Sequence, residues 1–274
     1  MQDFTIAIYC FIDDLLQIID KKQIDNRRKL SDAQVITTAI IAARYFQGNQ
    51  SNACAYMKEF WGFEIPDKSN FNKNLHRLSD LISRLFQELS SIFKALNLET
   101  VYIIDSFPVS VCKNIRIRRA NLLREEKFRG YNASKKEYFY GFKVHIICTG
   151  NGIRVEVFFT AGSVHDNTAM QAMDIDLPEN SDLYADSAYL NKDMKALLEE
   201  MGTIKLKAAT KKNSIHKNTK EQALEINYFR KRIETTFASI NALFPKKIHA
   251  VTPEGFLLKV LFTIIAVILH TQFK

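Results

Sequence analysis

The chain has 274 residues, of which 47% are hydrophobic and 25% charged, a composition that excludes intrinsic disorder and supplies a sizeable core. This length fits one large domain or two modest ones. The four cysteines are scattered without paired spacing, which argues against a zinc site or a disulfide framework and predicts a reducing, cytoplasmic location. The first residues lack a basic region and a cleavage site, so we expect no signal peptide.

The net charge of +8 is unevenly spread along the chain. Residues 1–100 are neutral overall and residues 138–202 carry a net −6. The other two stretches are basic, with +5 in residues 101–137 and +9 in residues 203–274. Basic stretches suit a polyanion such as nucleic acid, and an acidic centre suits metal ions. The same charges could instead only solvate a surface.

Residues 1–98 have apolar side chains at helical spacing between polar turns, and they predict an all-helical N-terminal domain. Several short helices of this kind can include a helix-turn-helix that docks in a major groove. A plain helical bundle for packing or dimerisation is the alternative, which the neutral charge favours. If the segment binds DNA, its contacts are Lys68, Lys73, His76 and Arg77.

Two short apolar runs each end in an aspartate. Val101 to Ile104 predicts a central strand that delivers Asp105 to the edge of a sheet, and Leu183 to Ala185 repeats the arrangement before Asp186. Between them, residues 138–148 and 153–159 predict a hairpin around a tight glycine-containing turn. A long helix from about residue 220 to 244 then carries Glu234 beside its apolar stripe.

The predicted order is strand, hairpin, helix, strand, helix, strand and long helix. This is the order of a ribonuclease-H-like α/β fold, a mixed sheet with flanking helices, which we expect over residues 99–274 with a basic insert at 113–136. The first and fourth strands of that fold are adjacent and parallel, so Asp105 and Asp186 would lie side by side. The apolar helix at residues 256–269, about 14 residues long, is short of the ~20 needed to span a membrane and predicts a core helix.

Three carboxylates that converge from separate elements can hold two Mg²⁺ ions about 3.5–4 Å apart, an arrangement suited to phosphodiester chemistry. We expect Asp105, Asp186 and Glu234 to form such a site, with Asp105 bridging the two ions. Any single acid at a strand end could instead be a helix cap or a surface charge. Glu234 could simply pair with Arg230, and Glu225 lies on the same predicted helix.

Three stretches, Tyr102–Ser106, Ala185–Tyr189 and Arg230–Glu234, resemble the acidic motifs of DDE transposases from bacterial insertion sequences. Gly162–Asp166 is also similar to the glycine–histidine–aspartate neighbourhood of that family, and the resemblance covers about residues 100–270. It implies cleavage at element ends and strand transfer into target DNA, with Mg²⁺ or Mn²⁺ as cofactor. It also implies recognition of terminal inverted repeats in double-stranded DNA. We further expect a homodimer in the DNA complex, no membrane partner, and a cytoplasmic, nucleoid-associated location in a bacterium.

Family members often carry a tyrosine, an arginine and a lysine around the third acid. Arg230 stands four residues before Glu234, as the family pattern requires. Asn227 occupies the usual tyrosine position with Tyr228 beside it. Asn241 occupies the lysine position, so Lys246 or Lys247 would have to substitute.

The residues expected to contact DNA are basic: Arg116, Arg118, Arg119, Arg124, Lys211, Lys212, Arg230, Lys246 and Lys247. His165 and Asp166 could serve as a phosphate contact and an accessory acid, or they could form an ordinary helix cap. Tyr189 could stack on a base near the cut or pack in the core.

Two other functions remain open from the sequence. The same acids could serve a plain metal-dependent nuclease or junction resolvase that does not join strands. The protein could also be a DNA-binding regulator without catalytic activity. Strand joining by a free 3′-hydroxyl separates the first alternative from a transposase, and metal-dependent cleavage separates the second.

Overall fold

The structure is a computed structural model that describes residues 1–20, 28–133, 135–210, 214, 217–245 and 247–273, without the side chains of 192, 201 and 202. The helices within these residues are α1 (Gln2–Ile19), α2 (Asp32–Tyr45), α3 (Gln50–Trp61), α4 (Lys68–Arg77), α5 (Ser79–Ala95), α6 (Asp166–Ala172), α7 (Lys192–Gly202), α8 (Lys220–Leu243) and α9 (Pro253–Gln272). The strands are β1 (Val101–Lys113), β2 (Arg129–Asn132), β3 (Glu137–Thr149), β4 (Arg154–Ala161), β5 (Asp182–Ala185) and β6 (Lys205–Ala208).

The described residues fold into two compact units. The helical unit comprises Met1–Leu89 and Ser239–Lys274, and the sheet unit comprises Ser90–Ala238. The domain limits expected from the sequence, 1–98 and 99–274, stay a prediction, because compactness alone does not define which segment performs which function.

The helical unit is built around α2, which contacts α1, α3, α4 and α9. Its N-terminus is fixed by a capping box in which Ser31 and Gln34 bond each other's backbone amides. Most α2 side chains are buried, because neighbours cover the helix on several sides. The segment is helical, as its apolar spacing predicts.

α9 is long and apolar enough to cross a membrane by length and composition, the one such helix among the residues described. However, 67% of its apolar window is buried in the fold, and the helix packs against α2. Thr252 caps its start, where the side chain accepts a hydrogen bond from the Gly255 amide. These contacts are those of a core helix.

Six strands within the described residues form one mixed sheet in the order β2-β3-β1-β5-β6, with β4 also paired to β3. β1 pairs antiparallel with β3 and parallel with β5, and β5 pairs parallel with β6. The first predicted strand is therefore adjacent and parallel to the strand that precedes Asp186. This mixed α/β sheet with flanking helices confirms the ribonuclease-H-like fold class.

β1 is longer than its apolar run indicates, because it continues past Asp105 to Lys113 in antiparallel pairing with β3. Pro108 lies within this extension and is paired with Lys143. β5 pairs with β1 only as far as Ile104, so the other side of β1 at Pro108 has no strand partner among the described residues. Proline is tolerated there because an edge position needs no amide donor.

The basic insert contains regular structure that its composition did not predict. Residues Asn114–Arg119 form a 3₁₀ helix, and β2 then pairs with the first part of β3. β2 reads Arg-Gly-Tyr-Asn and has no apolar alternation, so its strand conformation comes from pairing with β3 rather than from its own pattern.

Candidate active site

Asp105 and Asp186 lie at the same level on neighbouring strands. Ile104 and Ala185 are the last paired residues of β1 and β5, and each is followed directly by its aspartate. The Ser106 amide donates to Asp105 Oδ1 at 2.7 Å, and the Ser187 amide donates to Asp186 Oδ1 at 2.5 Å. These two bonds fix both carboxylates at one edge of the parallel pair, as the sequence predicts.

The Asp105 carboxyl is electrostatically disfavoured as an anion. Burial raises its pKa to about 7, and the charges of Asp186 and Asp166 act in the same direction. The Ser106 amide and Arg230 oppose this rise in pKa. No described residue hydrogen-bonds Asp105 Oδ2. Burial and the neighbouring carboxylates therefore disfavour the Asp105 anion, and a bound cation would stabilise it.

Glu234 lies on α8 among residues that contact this edge of the sheet. Residues three and four apart are neighbours on a helix surface, and two such neighbours of Glu234 contact the aspartate end. Arg230 Nη2 lies 3.3 Å from Asp186 Oδ2. The rings of Phe237 and Phe107, the latter two residues beyond Asp105, have centroids 4.8 Å apart. Glu234 itself is exposed.

The opposite ridge of α8 contacts the other end of the sheet. Arg232 donates to the Gly150 carbonyl at 2.7 Å, and Arg154 donates to the Thr236 carbonyl at 3.2 Å. α8 thus crosses the sheet face with one ridge towards the β3–β4 turn and the other towards the aspartates. The choice of Glu234 as the third acid stays a prediction.

Glu225, the competing acid on α8, is held in a separate cluster. It accepts a hydrogen bond from the Tyr184 hydroxyl, and its Oε1 lies 3.2 Å from Lys207 Nζ. Lys207 also bonds Asp182 Oδ2 at 2.9 Å. The Glu225 pKa is held below its usual range mainly by the Tyr184 hydroxyl. These contacts give Glu225 a structural role in joining α8 to β5 and β6.

Asp166 is linked to Asp105 through Ser106, and it also binds Lys143, which the sequence did not single out. Its Oδ1 accepts hydrogen bonds from Ser106 Oγ at 3.1 Å and Lys143 Nζ at 3.0 Å. Lys143 also donates to the Val164 carbonyl at 2.8 Å. Asp166 opens α6, and His165 is the exposed N-cap residue without a side-chain cap bond. The only sequence signal for Lys143 was a charged residue inside an otherwise apolar strand.

Tyr189 is fully buried, so of its two sequence interpretations the structure shows core packing. Its hydroxyl lies 2.8 Å from His145 Nδ1, and His145 Nε2 lies 2.9 Å from Thr160 Oγ1. Burial lowers the pKa of His145 to about 4. His145 is paired with Ser106 across β1 and β3, so this buried chain lies next to the residue that follows Asp105.

The basic candidates outside α8 are exposed where they are described: Arg116, Arg118, Arg119 and Arg124 in the insert, and Lys247 in the helical unit. Lys211, Lys212 and Lys246 lie outside the described residues. Lys68, Lys73, His76 and Arg77 lie exposed on α4. Exposure leaves all the described ones accessible to DNA, and their role stays a prediction.

The carboxylate oxygens at this edge fit Mg²⁺ or Mn²⁺ in type and charge, since these ions prefer a few carboxylates together with water and phosphate. Among the described residues, however, no three histidine, cysteine, aspartate or glutamate side chains lie close enough together to hold a metal ion. Asp105 and Asp186 are in place, and the convergence of Glu234 with them stays a prediction.

A mixed sheet with flanking helices, in which aspartates follow two adjacent parallel strands, defines an α/β protein of the ribonuclease-H-like class. The family model described as the transposase DDE domain matches residues 96–248, which is more than half of the chain. The protein belongs to this transposase family. No curated protein and no solved structure matches it.

Proposed function

We propose that this protein is a transposase that cuts DNA at the ends of a mobile element and joins those ends to target DNA. The observation that carries the proposal is the Asp105–Asp186 pair, whose register on adjacent parallel strands brings two carboxylates to one edge of the sheet. The raised pKa of Asp105 supports it, because burial disfavours the carboxylate anion and a bound cation would stabilise that anion. Membership of the transposase family supports DNA as the substrate.

In this proposal Asp105, Asp186 and Glu234 would hold two Mg²⁺ or Mn²⁺ ions. Bound there, the ions would supply the positive charge that activates the attacking oxygen and stabilises the charge on the phosphate. The protein orients the site through the backbone amides that fix both aspartates. Arg230 adds a cation beside Asp186, where it can bind a phosphate oxygen.

The chemistry consists of two displacements at phosphorus. In the first, a water oxygen bonds to phosphorus while the bond to the 3′ oxygen breaks, which leaves a free 3′-hydroxyl on the element end. In the second, that hydroxyl attacks a phosphodiester of the target, and the target's 3′ oxygen leaves. A plain nuclease or resolvase performs only the first displacement.

We also propose that double-stranded DNA lies along the exposed basic side chains of the insert, and that a homodimer holds two element ends. Residues 113–136 carry nine basic and two acidic groups, which supports phosphate contacts there. The helical unit offers α4 as a second candidate contact surface. DNA as the substrate supports a cytoplasmic, nucleoid-associated protein.

The test uses the full chain, Mg²⁺ and duplexes that carry the genomic DNA flanking the coding region, with nicks and joined products mapped by sequencing. We expect nicks at element ends followed by joined products. Asp105→Asn should abolish both products. Asp182→Asn is the matched control, because Asp182 lies on the strand that precedes Asp186 but pairs with Lys207, and it should remain active.

Nicks without joined products would contradict strand transfer and favour a nuclease. DNA binding without any metal-dependent cleavage would contradict the enzyme and favour a regulator.

A further inference from the structure

Two tyrosines stand opposite each other on the β2–β3 hairpin. Tyr131 on β2 is paired directly with Tyr138 on β3, and their ring centroids are 4.9 Å apart. The side chains are 52% and 48% exposed, respectively. A cross-strand aromatic pair can stabilise a hairpin, but these rings keep about half of their surface in water. That surface is available to a ligand with a flat ring.

The chemistry around the pair is cationic. The guanidinium carbon of Arg129 lies 4.6 Å from the centroid of the Tyr138 ring. Lys135 and Lys136 are exposed in the turn that joins β2 to β3. Exposed aromatic rings beside basic side chains are the combination that binds nucleic-acid strands, in which the rings stack on bases and the cations neutralise phosphates.

The pair lies on the same sheet face as the catalytic aspartate. Asp105 is paired with Ile146 of β3, and Tyr138 is eight residues before Ile146 on that strand. An even separation places both side chains on one face, about 26 Å apart at 3.3 Å per residue. Along its axis, duplex DNA rises about 3.4 Å per base pair. A duplex whose axis follows this face would therefore meet the tyrosines about eight base pairs from a phosphate bound at Asp105.

We propose that Tyr131, Tyr138 and Arg129 form a platform for an unpaired nucleobase of the DNA bound at the active site, about eight nucleotides from the position of cleavage. The base must be unpaired because a duplex covers the faces of its bases and exposes only their edges. The stated distance between this platform and the position of cleavage rests on the proposed function. The platform's affinity for an unpaired base does not depend on cleavage.

The first experiment measures binding of the full chain in EDTA, so no cleavage is required. The probes are a fully paired duplex and the same duplex with one unpaired 2-aminopurine. We expect tighter binding of the second probe and quenching of its fluorescence. Tyr131→Val with Tyr138→Val should weaken binding of the unpaired probe about tenfold, as loss of base stacking does, and change binding of the paired duplex less than twofold.

The matched control is Tyr131→Phe with Tyr138→Phe, which keeps the rings and should keep the affinity and the quenching. Hydrogen exchange of residues 129–140 reports whether the valine hairpin is still folded. Equal affinity of the wild-type protein for both probes, or no quenching of 2-aminopurine, would overturn the proposal even if the valine variant unfolds.

The second experiment places the unpaired base 4, 8 or 12 nucleotides from the mapped nick. The largest effect on affinity should occur near 8 nucleotides. An equal effect at all three positions would refute the inference that the bound DNA runs along the sheet face from Asp105 to the tyrosines. If the wild-type protein does not cleave DNA but its binding still depends on the tyrosines, only the proposed function is refuted.

Discussion

His145, which is buried on β3 across from Ser106, offers a quantitative test of the packing of the sheet unit. Its ring is fully buried between Tyr189 and Thr160, and burial lowers its pKa from 6.5 to about 4. The folded state therefore holds the imidazole neutral, while the unfolded chain binds a proton below about pH 6.5. This contribution to stability is fully present above pH 6.5 and is lost as the pH falls towards 4.

The magnitude follows from the size of the pKa shift. A shift of one unit corresponds to about 1.4 kcal/mol, so the full loss in the free energy of unfolding is about 3 kcal/mol. At about pH 5 the unfolded histidine is almost fully protonated and the folded one is not, which gives a loss of about 2 kcal/mol relative to about pH 7.5. His145→Gln removes the titration and keeps a polar side chain.

The assay is urea unfolding at both pH values, followed by hydrogen exchange of β3 peptides so that the sheet unit is read by itself. On acidification, His145→Gln should lose about 2 kcal/mol less stability than the wild-type protein. His249→Gln, at an exposed position, should behave like the wild-type protein. If His145→Gln and the wild-type protein lose the same stability, the histidine is not held neutral in the fold and the reasoning fails.

Two further predictions concern the acids and the basic insert. Glu234→Gln should abolish cleavage and strand joining while end binding survives, because the charge that a metal needs is lost. Glu225→Gln should stay active. The reverse pattern in a cleavage assay would assign the role of third acid to Glu225. Neutralising Arg116, Arg118 and Arg119 together should flatten the log–log dependence of DNA affinity on salt by about 0.9 per lost phosphate contact. An unchanged slope in a salt titration would show that these arginines only solvate the surface.

The sequence predicted the parts of the site that depend on local pattern. Val101–Asp105 and Leu183–Asp186 have apolar runs bounded by an acid, and the structure places both on adjacent parallel strands. α8 was also predictable, since its apolar stripe recurs at helical spacing over many turns.

The parts that were not predicted depend on contacts between distant segments. Lys143 bonds Asp166 across two elements, and a lysine inside an apolar strand gives no sign of its partner. The extension of β1 through Pro108 was also not predictable, because a proline argues against a central strand. It is tolerated here because β5 ends at Ala185 and leaves that side of β1 unpaired by β5, which the sequence does not show.

The helical unit is made from two pieces of chain, Met1–Leu89 and Ser239–Lys274, with the whole sheet unit encoded between them. During synthesis α2 must leave the ribosome long before α9, its packing partner, has been translated. At about 5–20 residues per second, the roughly 200 residues between Tyr45 and Pro253 take about 10–40 s. For that interval the apolar side of α2 has no cover from α9, so the nascent chain is most exposed to aggregation then and most in need of chaperones. A truncated mRNA that ends before the codon for residue 253 would yield a protein without α9, in which that side of α2 stays uncovered.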